Sequence, residues 1–488
     1  MKRPFVSLLT ALLLYATLPP AALAAAKPSH PAKLTYQNLD WQVPEGASYR
    51  DTLANGLTVY MAQDATFPLV HLIGYVRFGS IALPAAQQGL GELMTQLLAT
   101  GGTQRYSADT IDIMLDEYAI GFNASLSETM LKFSMSCLAE YTDTALTLLQ
   151  QMLFAPRFDP ERFTKEQQLM LQGIRHRFDN PEPILKAAYG KALYPGEAFS
   201  ALADEQSVAA FTVEDVRALH KRVFSAPDIL LGISGKFDTL SMRARLNTIF
   251  PAITPSNNES AFPKVHCAPQ LTKLIVHRDG LTQSQVRMAL PLFTRPHPDY
   301  YALSVLNTVL GGGAFSSRLN EKIRSDAGLT YSIYSTVVSD YVIPGTFYIQ
   351  FHTNTASTLR AITMARQELR TIVEQGVTPQ ELDHAKKVLI DGLPSMFRGK
   401  SDIIENYTWS YYYGREDDHF RTYADKINAL TAELVLEAAK RHLNPDKLVY
   451  TVVTDTSVIK PLDTAADFSL LSGEGVRIET PESLSRLP

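Results

Sequence analysis

The 488-residue sequence predicts an α+β chain of two tandem homologous domains, each an antiparallel-rich sheet packed by helices. Three observations lead there. The first is a repeat: "FTVEDVRALHKRVF" (211–224) and "LTAELVLEAAKRHL" (430–443) stand 219 residues apart. Each has a Thr in capping position and Lys-Arg near its end, then passes through Pro-Asp into an apolar strand, "APDILLGISGKFD" or "NPDKLVYTVVTD". At the same offset "FDPERFTKEQQLML" matches "VTPQELDHAKKVLI" and aligns Pro160 with Pro379. The second is strand alternation in both halves, and the third is an aperiodic connector rich in Pro, Ser and Asn, "FPAITPSNNESAFPKVHCAPQ" (250–270), between them.

The repeated elements have physical signatures. A Thr at a helix start accepts hydrogen bonds from first-turn amides, and Lys-Arg complements the dipole at the other end. Pro160 and Pro379 sit just inside helix starts, where a missing N–H costs nothing. Strand segments follow in order: "LTVYMAQ", "LVHLIGYVRFG" and "GFNASLSETMLKFSMSCL", then "KLIVHR", "QVRMALPLF" and "GTFYIQFHT". Their alternation predicts one buried and one wet face, with helices packed on one side. The boundaries read as domains over 40–250 and 271–460, a linker over 251–270 and a loose tail over 461–488. Before them, Lys2 and Arg3, the run "FVSLLTALLLYATL", Pro19-Pro20 and "AALAAA" have the build of a secretory signal peptide over 1–26. Cleavage is expected after Ala24 or Ala26, and the location periplasmic, with no membrane span.

Composition excludes several classes. Apolar residues make up 45% and charged residues 19%, as in ordinary globular chains. A net charge of −5 gives no basic footprint for nucleic acid or an anionic membrane. Cys137 and Cys267 read as two independent thiols, and no CxxC occurs.

Chemistry is next. None of the eleven His has another His four residues away, so no helix presents two imidazoles to one zinc, and neither HExxH nor HxxEH occurs. His176, His220, His384 and His442 read as surface residues of polar helices. There is no GxSxG elbow and no GxxxxGK[ST] loop. "NYTWSYYYG" (406–414) reads as a packed helix with tyrosine hydroxyls reaching out. "GLGELMTQLLATGGT" (89–103) reads as an amphipathic helix with Leu90, Leu93, Leu97 and Leu98 inward and its polar residues wet. One segment is harder to read as packing: "LGGGAFSSRLNEKIRSDAGLTYSIYS" (310–335). Gly311, Gly312 and Gly313 allow close backbone approach. Ser316-Ser317 then start a helix with Arg318 and Arg324, Gly328 stops it, and Tyr331 follows. A guanidinium and a phenol converging on one carbonyl oxygen are the parts of an oxyanion site.

These last two segments carry a resemblance. The chain resembles the pitrilysin–insulinase family of inverted zincins, and within it the branch of processing peptidases and two-subunit bacterial zinc peptidases. The 89–103 helix is similar to the family's "GxAHxxEHxxFxGT"-like helix, but His, Glu and His are replaced by Glu92, Thr95 and Gln96. The distal ligand falls on Gly173, with Glu166 nearby. "LGGGxxSRLxxxIRxxxGLxYS" is similar to the family's second-domain signature. The resemblance implies the processing-peptidase fold and no zinc in this chain. It implies a homologous HxxEH partner that carries zinc in a heterodimer, and a peptide substrate. In that pair Arg324 and Tyr331 act on the substrate carbonyl, beside Gly311, Gly312 and Gly313. Two rival readings stand beside it: a non-enzymatic peptide-binding or assembly protein built on the same shell, and a stand-alone hydrolase using other residues.

Overall fold

The computed structural model describes residues 41–224, 228–250, 262–415, 417–459 and 469–486. The expected signal peptide, over 1–26, lies outside the described residues, as do 251–261 of the linker. In the first half the elements run β1 (Arg50–Thr52), β2 (Thr58–Gln63), β3 (Leu69–Val76), α1 (Leu90–Thr100), α2 (Ala108–Glu117), β4 (Gly121–Leu126) and β5 (Leu131–Leu138). Then come α3 (Thr142–Phe154), α4 (Pro160–Arg175), α5 (Pro181–Leu193), α6 (Glu205–Ala210), α7 (Val213–Phe224), β6 (Ile229–Gly235) and α8 (Thr239–Ile249). The second half has β7 (Lys273–His277), β8 (Gln283–Pro291), α9 (Tyr300–Asn307), β9 (Ile333–Val338), β10 (Thr346–Asn354), α10 (Thr358–Gln375) and α11 (Pro379–Asp391). It ends with α12 (Lys400–Tyr412), α13 (Tyr423–Asn428), α14 (Ala432–His442), β11 (Val449–Thr454) and β12 (Val476–Glu479).

Among the described residues two six-stranded sheets form, ordered β1-β2-β6-β3-β5-β4 and β12-β7-β11-β8-β10-β9. Most pairings are antiparallel, but β2–β6, β7–β11 and β7–β12 are parallel. The repeat's helix signals hold: Pro160 and Pro379 open α4 and α11, Thr212 Oγ1 accepts from the Asp215 amide, and Thr431 caps α14.

One-sided packing does not hold. β6 and β11 are buried along their whole length. The cause is an exchange of helices at the repeat offset. α5, in the first half of the sequence, packs on β11, β8 and β7, while α12, in the second half, packs on β6 and β2. Gly232 makes the second contact possible, because a Cβ there would stand 2.6 Å from Ile404 Cγ2 and 2.7 Å from Thr408 Oγ1. Polar contacts fasten the exchange. Tyr412 donates its hydroxyl to the Thr129 carbonyl at 2.7 Å, and Arg77 bridges Asp228 and the Tyr412 carbonyl. Tyr407 donates to the Pro44 carbonyl, and Tyr194 to that of Pro344 at 2.7 Å. With Tyr413, whose hydroxyl lies 3.2 Å from Thr129 Oγ1, three tyrosine hydroxyls of "NYTWSYYYG" do reach out, into the first half rather than into water. Val43–Pro488 accordingly forms one compact unit.

The tail is not loose where it is described. β12 adds to β7 in parallel, and Leu470 and Leu484 are buried. Four residues of strand and two leucines suffice to anchor it, a signal too short to stand out as periodicity. Cys137 and Cys267 are both free thiols. Among the described residues no helix is long and apolar enough to cross a membrane.

Candidate functional site

Helix α1 follows Gly89, whose φ of +96° is left-handed, and packs against β4, α4 and α7. Leu90, Leu93, Leu97 and Leu98 are buried as expected. The polar residues depart from expectation. Thr95 is buried and its hydroxyl donates to the Glu92 carbonyl at 2.8 Å, while Glu92 is half-buried and only Gln96 faces water. Glu92 Oε2 is sealed from solvent without a hydrogen-bond partner, and desolvation pushes the carboxyl pKa up. Gly173, on α4, is exposed and has nothing within 4 Å of a would-be Cβ. One desolvated carboxyl, a hydroxyl already donating to the backbone, an outward amide and a glycine do not fit a zinc site, which takes imidazole, thiolate and carboxylate donors.

Glu92 borders a cavity of about 540 Å³ at the junction of the halves. Its walls include Met170, Ile174 and Phe199, with Arg177, Lys186 and Arg287 as cations. Arg287 lies between the rings of Tyr189 and Tyr348, 4.4 and 4.6 Å from their centres, and donates to Gln350.

The second site lies across that Arg287–Tyr348 wall. The chain after α9 does not form the expected α-helical run. Thr308–Gly312 and Asn320–Asp326 are both π-helical, a wide winding often found at functional sites. Gly311 passes so close to β9 that a Cβ would stand 2.5 Å from Ser335 Oγ. A pocket of about 570 Å³ opens between Asn307, Gly311, Gly312, Arg324, Tyr331 and Ser335. Gly313 ends the first π segment. Arg324 donates through Nε to the Tyr331 carbonyl at 2.8 Å. Its guanidinium lies 4.6 Å from the Phe315 ring and 5.6 Å from the Tyr331 ring. The Tyr331 side of the pocket is open, with that residue 89% exposed. Asn307 Oδ1 and Ser335 Oγ are buried there without partners. Arg318 takes no part: it forms a bidentate pair with Glu381, both contacts at 2.7 Å.

Sequence reasoning thus reached Gly311, Gly312, Arg324 and Tyr331 but missed Phe315, Asn307 and Ser335. For Phe315 the available signal was an aromatic residue two positions after the three glycines. It also misplaced two histidines. His220 is part-buried against Phe224 and bonds the Leu153 carbonyl, and burial lowers its pKa. His442 pairs with Asp299 at 2.7 Å. His176 and His384 are exposed as expected. Two groups of metal-type donors occur among the described residues, His297/Asp299/His442 and His277/Asp279/Asp455. Both are internally satisfied: Arg441 also pairs with Asp299, and Asp455 accepts from Gly280 and Ser457.

Comparison with known proteins was decisive for the family. The model of the insulinase family, peptidase family M16, matches residues 58–202, and that of the peptidase M16 inactive domain matches 210–389. The chain belongs to the insulinase family, M16. A Helicobacter pylori relative described as a non-peptidase homolog, YmxG, is 26% identical to this M16 chain, over 82% of it and 95% of the relative. Among solved structures, a peptidase M16 inactive domain from Pseudomonas fluorescens is 22% identical with a TM-score of 0.74. It covers 85% of this chain and 99% of its own. The Escherichia coli periplasmic protease PqqL is 18% identical with a TM-score of 0.70, covering 93% of this M16 chain and 51% of its own. These likenesses give the fold.

Proposed function

We propose that this chain is the zinc-less subunit of a periplasmic heterodimeric peptidase of the M16 family. In this reading a homologous HxxEH subunit holds zinc, and this chain donates Arg324 and Tyr331 across the shared chamber. The observation that carries it is a contrast. Helix α1 keeps its packing but lacks donors that fit zinc, whereas Arg324 and the exposed Tyr331 border an open pocket. With Nε spent on the Tyr331 carbonyl, the terminal N–H groups of Arg324 and the Tyr331 hydroxyl are available to a peptide carbonyl oxygen as negative charge develops on it. Gly311, Gly312 and Gly313 let substrate backbone approach. The N-terminal charged-apolar-small pattern supports export.

The test is reconstitution. The chain and an HxxEH partner are purified, and zinc content and peptide cleavage are measured apart and mixed. Activity is expected only in the mixture, with zinc in the partner. Arg324→Ala or Tyr331→Phe should lower kcat by about 10²–10³, the usual loss for an oxyanion donor, without preventing assembly. Full activity from both variants, or stoichiometric zinc in this chain alone, would overturn the reading. The description of the Helicobacter pylori relative favours a second reading, a non-enzymatic peptide-binding or assembly protein. Co-purification with an envelope complex, and no cleavage with any HxxEH partner, would select it.

A further inference from the structure

A ladder of alternating rings and guanidiniums runs through the second half, away from both pockets described above. Tyr300 lies on α9, Arg295 just after β8, Tyr341 between β9 and β10, Arg415 just after α12, and Trp409 on α12. The Arg295 guanidinium carbon is 3.7 Å from the Tyr300 ring centre and 5.2 Å from that of Tyr341. The Arg415 carbon is 5.5 Å from the Tyr341 centre and 4.2 Å from that of Trp409. Three rings thus lie within cation–π range of the two guanidiniums. A guanidinium carries five N–H donors, and ring contacts of this kind do not replace conventional hydrogen-bond acceptors for them.

Arg415 uses part of its edge, donating through Nε to the Tyr341 hydroxyl at 2.8 Å and approaching His419 Nε2 at 3.4 Å. Arg295 uses none. It is 8% exposed, its Nε is sealed from water without a partner, and among the described residues its side chain forms no ion pair or hydrogen bond. Asp340, whose backbone carbonyl accepts from the Arg295 amide, directs its carboxylate at the Val342 and Ile343 amides instead. Asp418 pairs with Arg421. Buried cations are normally paired, and a desolvated donor without an acceptor marks a missing partner. The field of this region points the same way. His419 is pushed down to about 3, by burial first and then by Arg415, Arg295 and Lys426.

We infer that the Arg295 guanidinium is the donor of a binding site for a small oxyanion of the phosphate or sulfate class, with Arg415 supplying a second positive charge and the rings of Tyr300 and Tyr341 holding the fork in place. Planar forks of this kind bind oxyanions through paired N–H donors. The site does not depend on the peptidase reading.

The test uses the full chain at constant ionic strength, with phosphate or sulfate replacing chloride in separate titrations. Two readouts are followed: the thermal midpoint, and the Arg295 Nε–H resonance in ¹⁵N-arginine-labelled protein. Both should shift saturably in wild type. Arg295→Gln should weaken binding at least tenfold, as expected for loss of charge-assisted hydrogen bonds. Arg295→Lys, which keeps charge without the fork, should fall between, and exposed Arg217→Gln should match wild type. Should Arg295→Gln not fold, the wild-type resonance still decides. A midpoint response equal in Arg295→Gln and wild type, or an Arg295 resonance unmoved by either anion, would overturn the inference. A response to only one of the two anions would identify the ligand.

Discussion

The exchanged helix makes a quantitative demand on Gly232. A methyl group there would meet Ile404 Cγ2 at 2.6 Å, Thr408 Oγ1 at 2.7 Å and Ile73 Cγ2 at 2.9 Å. Two of these atoms belong to α12, and Ile404 is 1% exposed. Overpacking of this kind costs about 1–3 kcal/mol, so Gly232→Ala should destabilise the chain by that amount. Ile404→Ala alone should cost about 2–5 kcal/mol through the cavity it leaves. The double variant is the discriminating one. Ile404→Ala removes the nearest clash, so the pair should cost less than the sum of the singles, by about 1 kcal/mol. The assay is urea unfolding followed by circular dichroism and by Trp409 fluorescence in a Trp41→Phe background, since the chain has only those two tryptophans. Trp409 lies on α12 and reports its release. Both signals should move together, because α12 is part of the first sheet's core although it belongs to the second half of the sequence. Strict additivity, or an α12 signal lost well before the sheet, would refute this account of the packing.

Glu92 gives a pH prediction. Burial raises its folded pKa above the ordinary value of 4.5, so the folded chain holds the proton to higher pH than the unfolded chain. Stability is complete below that value and falls as pH rises from there through the folded pKa. Glu92→Gln should lack this fall and exceed wild type at neutral pH, as read from unfolding midpoints across about pH 4 to 7. An identical pH profile in both proteins would show that Glu92 is solvated after all. Leu484→Ala tests the tail: its side chain is fully buried, so a loss of about 2–5 kcal/mol is expected in urea titration, against none for a free tail.

The doubled architecture was legible because it rests on local chemistry. Thr caps and prolines at helix starts act within a few residues, and each is used as it reads. The exchange of α5 and α12 was not legible. Each of these helices lies at its repeat-equivalent position, and amphipathicity says that a face is buried, not against which sheet. The even burial of "ILLGISG" and "VYTVVT" was the available hint, since strands covered on both faces lack alternation. At the site, Arg324, Tyr331 and the glycines could be named because they are close in sequence. Arg287, Arg295 and the two pocket walls could not, because each depends on contacts between segments far apart in the chain.

The two sites differ in what holds them, which makes function separable from stability. Substitution at Glu92 and Gln96 costs the fold little, because the leucines on the opposite side of α1 carry its packing. The frame of a zinc helix can therefore persist without its donors. At Arg324 and Tyr331 the argument runs the other way. The Tyr331 hydroxyl makes no hydrogen bond among the described residues, and the ring is exposed. Its removal should leave stability within about 0.5 kcal/mol of wild type, as for ordinary surface positions. Phe315 is likewise 74% exposed and contacts the Arg324 guanidinium. Two open aromatic rings flanking one half-buried guanidinium contribute little to a core, and their natural use is contact with something outside the chain. A loss of cleavage in Tyr331→Phe with unfolding unchanged would place that tyrosine at the chemistry; a loss of both would assign it to the fold.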